Sequence, residues 1–291
     1  MRHVQGATAR RWGTQSLPFF RGREALAATV ATFAYAASSE CAQAQGWLDT
    51  IPGDWTVTVG VQGKVQPAFE GAKKYEIEPV PVFSLRRSGT AARFSSPFDG
   101  ASISLIDVGG FHFGPAGKYK QGRKESDYSS ELRGLGDVDF AFEAGVFAEY
   151  WPGDWLRTRV EVRRGFGGHE GFVADFSADL VRSFDERWTL SGGPRLSLAD
   201  NKALAPYFGI SATQSVLSGL PAFDVKGGLH SVGAGVQVRY QWTPQWQVRG
   251  YVEYSRLLGD AASSPLVTER GSPDQVTFSL GVSYSFDIKL W

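Results

Sequence analysis

Residues Val276, Thr277, Phe278, Ser279, Leu280, Gly281, Val282, Ser283, Tyr284, Ser285 and Phe286 decide the fold of this chain. Every second side chain is large and apolar, and every intervening one is Thr, Ser or Gly. Successive side chains of a β-strand point to opposite faces, so the stretch is a strand with one apolar and one polar face. Residues 228–242 repeat it, with Val232, Ala234, Val236, Val238, Tyr240 and Trp242 against Ser231, Gly233, Gly235, Gln237, Arg239 and Gln241. In 137–150 the apolar set Val138 to Tyr150 stands opposite Asp137, Asp139, Glu143 and Glu149. Next, Leu156, Val160 and Val162 stand opposite Arg157, Arg159, Glu161 and Arg163. The alternation predicts strands at 55–66, 75–87, 91–96, 101–107, 111–121, 137–150, 155–166, 172–184, 187–199, 228–242, 246–258 and 274–286. No long segment carries the 3.6-residue period of a helix.

Alternation does not say which face meets water. A sandwich buries its apolar face between sheets, whereas an outer-membrane barrel turns it to lipid. Three features favour the barrel. Most strands match or exceed the ~9–11 residues that cross a bilayer obliquely, and the gaps between them alternate. Those at 67–74, 97–100, 122–136, 167–171, 200–227 and 259–273 are mostly long. Those at 88–90, 108–110, 151–154, 185–186 and 243–245 are short, as between barrel strands on the periplasmic side. Second, Trp55, Tyr150, Trp151, Trp155, Trp188, Trp242 and Trp246 all fall at short-turn ends, the place of an aromatic girdle. Third, the polar face is charged with both signs. Asp139, Glu143, Glu149, Asp175 and Asp179 stand against Arg157, Arg159, Arg163, Arg195, Arg239 and Arg249, and these are the expected lumen-facing residues. On a sandwich they would form an ordinary solvated surface. The expected fold is therefore all-β: a closed antiparallel transmembrane barrel of about twelve strands.

The N-terminus has a different character. Arg2, Arg10, Arg11, Arg21 and Arg23 precede a small apolar run, Ala25 to Ala37, and then Ala42, Gln43 and Ala44. A basic region, a short apolar core and an A-x-A end are the parts of a secretory signal. The expected organisation is a cleavable signal peptide over 1–44, a periplasmic segment over 45–54 and the barrel over 55–291. Such a cut would remove Cys41, the one cysteine, so the exported chain would form no disulfide.

Composition excludes other classes. Thirty basic residues balance thirty acidic ones, which gives no footprint for nucleic acid. Mean hydropathy is −0.20, and no stretch reaches the roughly 18 apolar residues of a membrane-spanning helix. No Ser-centred elbow, phosphate loop or zinc spacing occurs, so no catalytic, cofactor or metal residue is expected. Gly167, Gly168, His169, Glu170 and Gly171 resemble a motif but read as a tight turn. Within 200–227, Ser211 and Gln214 form a capping-box pattern, with Gly219 a helix stop and Pro221 beyond. That predicts a short helix near 212–218, in a segment that either folds into the barrel mouth, meets a partner or packs on itself over the strand ends.

Further stretches carry a family resemblance. They are Leu135 to Asp139, Gly167 to Gly171, Tyr207 to Ile210, Gln214 with Ser215, Ser218 to Pro221, Ser231 to Gly233, and Tyr254 to Ala261 with Ser264 and Pro265. In this order they resemble the MipA/OmpV family of Gram-negative outer-membrane proteins, over about Trp55 to Phe286. The resemblance implies an outer-membrane barrel without catalytic residues. It also implies lipid on the outer face and two partners on the periplasmic side, the lytic transglycosylase MltA and a murein synthase. The function it implies is a scaffold linking such peptidoglycan-remodelling enzymes. A narrow channel or solute-responsive pore, or a surface adhesin using 122–136, 200–227 and 259–273, are the alternatives. One departure is the tail: Asp287 to Trp291 follow the aromatic at which the family's last strand usually ends.

Overall fold

Strand after strand, the alternating stretches pair in register with their neighbours. The computed structural model describes residues 53–89 and 94–290. Its strands are β1 (Gly53–Pro67), β2 (Tyr75–Arg87), β3 (Ala101–Ser102), β4 (Ile106–Val108), β5 (Phe111–Lys120), β6 (Ala141–Gly153), β7 (Leu156–Gly167), β8 (Phe172–Ser183), β9 (Trp188–Ala199), β10 (Gly228–Gln241), β11 (Trp246–Leu257) and β12 (Asp274–Leu290). They form one curled, twelve-stranded sheet, antiparallel in every pairing described. Its order runs β2-β1-β12-β11-β10-β9-β8-β7-β6-β5-β3, with β4 also on β5. The principal unit is Trp55–Ile288. The expected leader 1–44, the segment up to 52 and Trp291 lie outside the described residues.

Burial follows the alternation. On β7, Arg157, Arg159, Glu161 and Arg163 are buried while Val162 and Phe166 are exposed. On β2, Ile77 is 79% exposed and Phe83 71%. The sheet is thus polar within and apolar without, the reverse of a soluble core. The apolar belt has two aromatic rims. Tyr150, Trp155, Trp188, Trp242 and Trp246 edge the short-turn end, and Tyr75, Tyr119, Phe142, Phe166, Phe172 and Tyr254 edge the long-loop end. From Trp155 to Phe166, at ~3.4 Å per residue and ~45° tilt, the belt is about 26 Å tall, matching a bilayer core crossed by strands. No helix among the described residues is long and apolar enough to cross a membrane.

The structure corrects the expected third and fourth strands. Residues 94–96 of the expected strand 91–96 are not a strand, and 101–107 is divided into β3 and β4. Pro115 causes the division. Ile103 N–H donates to Pro115 O at 3.2 Å, so the proline's missing N–H faces the same neighbour and the ladder breaks there. Nor are 97–100 an outer loop, because 94–100 run along the concave face. β2 forms the other edge, where Pro79 and Pro81 stand two apart and so lack donors on one side. The β1–β2 register is continuous from Trp55↔Arg87 to Pro67↔Tyr75, so the blunted side faces away from β1.

Three further expectations change. Strand six begins at Ala141 rather than residue 137, and Val138 forms only an isolated bridge with Arg123. Trp151 leaves the girdle, since its indole N–H donates to Glu149 at 2.8 Å and its ring packs edge-on against Phe94. The last strand continues beyond Phe286 to Leu290.

At the long-loop end the connections fold into a cap. Its helices are α1 (Asn201–Phe208), α2 (Ala212–Ser218) and α3 (Gly259–Ser263), followed by a π-helical turn, Leu266–Arg270. The α2 helix fills the expected 212–218, with the Ser211–Gln214 capping box formed and Gly219 left-handed at φ 76°. The other helical pieces were not expected. Leu204, Phe208, Leu257 and Val267 build one apolar cluster and Phe69, Leu132 and Leu266 another, with Phe223 packed against both. Of the readings open for 200–227, the self-packed cap over the strand ends describes what is seen.

Candidate functional site

Because every second residue of β6 to β9 points inward, acids on β6 meet arginines on β7. Glu149 lies opposite Arg159 in register, and Gly145 opposite Arg163. Arg157, 1% exposed, is the hub. It donates through Nε to Glu149 at 2.9 Å, through Nη2 to Asp99 at 2.7 Å and through Nη1 to Asp179 at 3.1 Å. Arg159 bonds Glu149 at 3.0 Å, pairs with Glu161 at 2.7 Å and lies 4.0 Å over the Phe147 ring. Arg163 joins Glu143 at 2.9 Å, Asp175 at 2.5 Å, and Glu161. Arg195 donates to Asp179 at 2.6 Å. Buried guanidinium groups are costly unless saturated with carboxylates, and here each carboxylate serves more than one donor.

Eight of the eleven expected lumen-facing residues therefore meet in one network: Glu143, Glu149, Arg157, Arg159, Arg163, Asp175, Asp179 and Arg195. Arg239 and Arg249 face each other in register, half-buried and apart from it, with Arg239 donating to Thr189 at 3.1 Å. Asp139 lies before β6 and is exposed. Sequence reasoning missed Asp99, Lys118 and His169 as members, and left Glu161 out although the alternation placed it on the right face. His169 turns inward from the glycine-rich turn to within 3.1 Å of Glu143. A side chain at Gly165 would collide with that imidazole, at 2.2 Å, which explains one glycine beside the turn.

Segment 94–100 is clamped into this network. Phe94 lies beneath Arg157 at 5.2 Å, and Phe98 sits between Lys118 at 4.8 Å and Arg195 at 5.5 Å. Ser96 accepts from Arg195 at 3.3 Å, and Gly100 N–H donates to Glu161 at 3.1 Å.

Between this plug and the cap lies a cavity of about 530 Å³. At its upper wall Glu70, in the β1–β2 loop, is 2.9 Å from Lys120 and 2.9 Å from His230. Burial pushes the Glu70 carboxyl up, but Lys120 and His230 outweigh it and hold the group well below the usual carboxylate range. A depressed carboxylate pKa stabilises the fold above the ordinary value, and that contribution is lost as pH falls through the folded value. Protection factors of amides 68–74, that is, exchange relative to the unfolded chain at the same pH, should accordingly be high at neutral pH and fall as pH drops below about 4. In Glu70→Gln, protection should already be low at neutral pH, with a cost of about 1–3 kcal/mol and little further acid response. Hydrogen exchange across pH checks this. No group of His, Cys, Asp or Glu among the described residues is placed to hold a metal ion.

A family model described as "MltA-interacting protein MipA" matches residues 59–286. The chain belongs to the MipA family. As a MipA family member with an exposed apolar belt, it resides in the outer membrane. Similar solved structures include the KdgM porin, at 12% identity and TM-score 0.39, covering 79% of this chain and 99% of that one. The translocator domain of autotransporter NalP from Neisseria meningitidis gives 12% and 0.37, covering 89% and 98%. The Pseudomonas putida toluene transporter TodX gives 12% and 0.35, covering 82% and 90%. No curated protein matches the sequence.

Proposed function

We propose that this MipA family chain is a closed, non-enzymatic barrel that scaffolds peptidoglycan-remodelling enzymes at the inner surface of the outer membrane. The partners are a lytic transglycosylase, as the family description suggests, and a murein synthase. The observation that carries the reading is the filled concave face, because a sheet whose interior is occupied by 94–100 and an ion-pair network is built to hold a shape. Closure follows from the solvent: ionised groups and unpaired strand edges are not tolerated in hydrocarbon, so the charged face must be enclosed. The leader 1–44, the periplasmic segment 45–54 and the lumen-facing role of the charged residues belong to the same proposal.

Short turns offer little area to a periplasmic partner, but they are ordered. Asp185 accepts from Arg187 N–H at 2.8 Å and Trp188 N–H at 2.7 Å, and Thr243 accepts from Trp246 N–H at 3.0 Å. Preorganised turns lose little entropy on binding, although small interfaces remain modest in affinity. The test is a mild-detergent pull-down of a lytic transglycosylase. Deleting 45–52 or rebuilding the 151–154 turn should reduce recovery severalfold while the barrel still folds. Unchanged recovery from both variants would sink this mode of binding.

One observation favours the adhesin alternative. Val216 and Leu217 on α2 are 84% and 63% exposed at the long-loop end. Changing both to Ser should abolish attachment to a surface ligand if the cap is adhesive, and leave transglycosylase recovery intact if it is not.

A further inference from the structure

The cavity above the plug has one corner whose chemistry is incomplete. Arg123, in the β5–β6 connection, is 4% exposed and lines the cavity. Its Nη2 reaches Pro206 O at 3.5 Å, and its charge stacks at 5.7 Å on Phe69. Its Nε and Nη1 are buried with no hydrogen-bond partner among the described residues. The Oη of Tyr207, a residue 4% exposed and also on the cavity wall, is likewise buried without a partner.

Other cations of the cavity are provided for. Lys118 lies 3.4 Å from Asp175, Lys120 2.9 Å from Glu70, and Arg195 2.6 Å from Asp179. Arg163 is saturated by three carboxylates, and Lys64 stands opposite Glu78 in register. The acid whose charge reaches Arg123, Glu70, is engaged by Lys120 and His230, and Glu143 on the same cavity wall is engaged by Arg163 and His169. Burial lowers the Arg123 pKa to about 10, which still leaves it a cation at neutral pH. Leaving a buried charge unpaired costs several kcal/mol, and water can supply hydrogen bonds but not the counter-charge.

We infer that the Arg123–Tyr207 corner binds the carboxylate of a small hydroxylated solute held inside the barrel. A carboxylate can accept from Arg123 and from the Tyr207 hydroxyl together, supplying the missing charge and both kinds of missing acceptor. The remaining volume suits a molecule of small-metabolite size. Ser231, Ser255, Thr277 and Ser279 line the cavity and offer hydroxyls to a polyhydroxylated body. Glu70, Glu78, Glu143 and Glu253 on the same walls disfavour a second negative charge on the ligand. The assignment is to a monoanion, and it goes beyond the scaffold reading without resting on it.

The test uses the full chain in mild detergent, with gluconate as probe and sorbitol, the same carbon chain without the carboxylate, as its neutral counterpart. Calorimetric titration should show saturable gluconate binding and sorbitol binding about tenfold weaker or more. Arg123→Gln should weaken gluconate by about tenfold or more, and Tyr207→Phe by about threefold to tenfold, through loss of one hydrogen bond. If Arg123→Gln does not fold, the gluconate-to-sorbitol ratio of the unmodified chain and the Tyr207→Phe result decide. Absence of gluconate binding, equal binding of sorbitol, or folded variants that bind gluconate like the parent would each overturn the assignment.

Discussion

Arg157→Ala is expected to destabilise the folded sheet by about 3–5 kcal/mol. The guanidinium is 1% exposed and bonds Asp99, Glu149 and Asp179 at once. Truncation leaves three carboxylates facing one another in an interior of low dielectric, with their mutual repulsion no longer screened by the cation between them. Arg157→Lys should recover only part of the loss, because a single ammonium cannot match a planar group bonding in three directions. Arg157→Met should be as damaging as Ala despite its volume, which separates charge from packing. Urea unfolding in detergent, followed by the heat-modifiable migration of folded barrels, measures all three. A change of under about 1 kcal/mol for Arg157→Ala would place the stabilising interactions elsewhere.

The second large effect is on permeation. In planar bilayers the parent chain should be silent, because 94–100 cross the concave face and bind four of its strands. Replacing 94–100 by a Gly/Ser segment removes Phe94, Ser96, Phe98 and Asp99 together. Discrete conductance steps are then expected from a protein whose strands are unchanged. Selectivity has a predictable sign. Losing Asp99 takes away one negative charge beside Arg157 and Arg159, so selectivity should shift toward anions relative to a Gly/Ser segment that keeps Asp99. Asp99→Asn alone should leave the segment in place and the bilayer quiet. Steps from the parent chain itself would favour the pore alternative over the scaffold.

The strands were legible because each has one apolar and one polar side. A period of two written in Val, Phe and Tyr against Ser, Arg and Glu has only one structural solution, and β7 to β12 match it to within a residue or two at most ends. Ion pairs across β6 and β7 were legible for the same reason, since register turns facing polar residues into partners. The plug was not. Asp99 and Gly100 have the composition of a turn, and the value of Asp99 lies in its contact with Arg157, far along the chain. The α1 helix was missed for a different reason. Asp200 caps it, and Ala203, Leu204, Tyr207 and Phe208 repeat at helical spacing, but Pro206 within it argues for a loop. His169 was seen only as part of a turn. Its signal was Gly165, whose missing side chain makes room for the ring.

The position of the sheet's edges carries one more consequence. The first and last strands meet in the middle of the sheet, where β1 lies beside β12 and Thr58 Oγ1 is 2.7 Å from Ser285 Oγ. The two edges of the sheet are instead β2 and β3, neighbours in sequence. A circularly permuted gene that opened the chain between Gly89 and Phe94 and joined the end of β12 to the start of β1 would lay down the strands in their spatial order, β3 first and β2 last. Every ladder would then form between consecutive strands except β3 with β5, which skips the short β4. The natural order makes the β1–β12 contact, across nearly the whole length, the one for which loop-closure entropy is greatest.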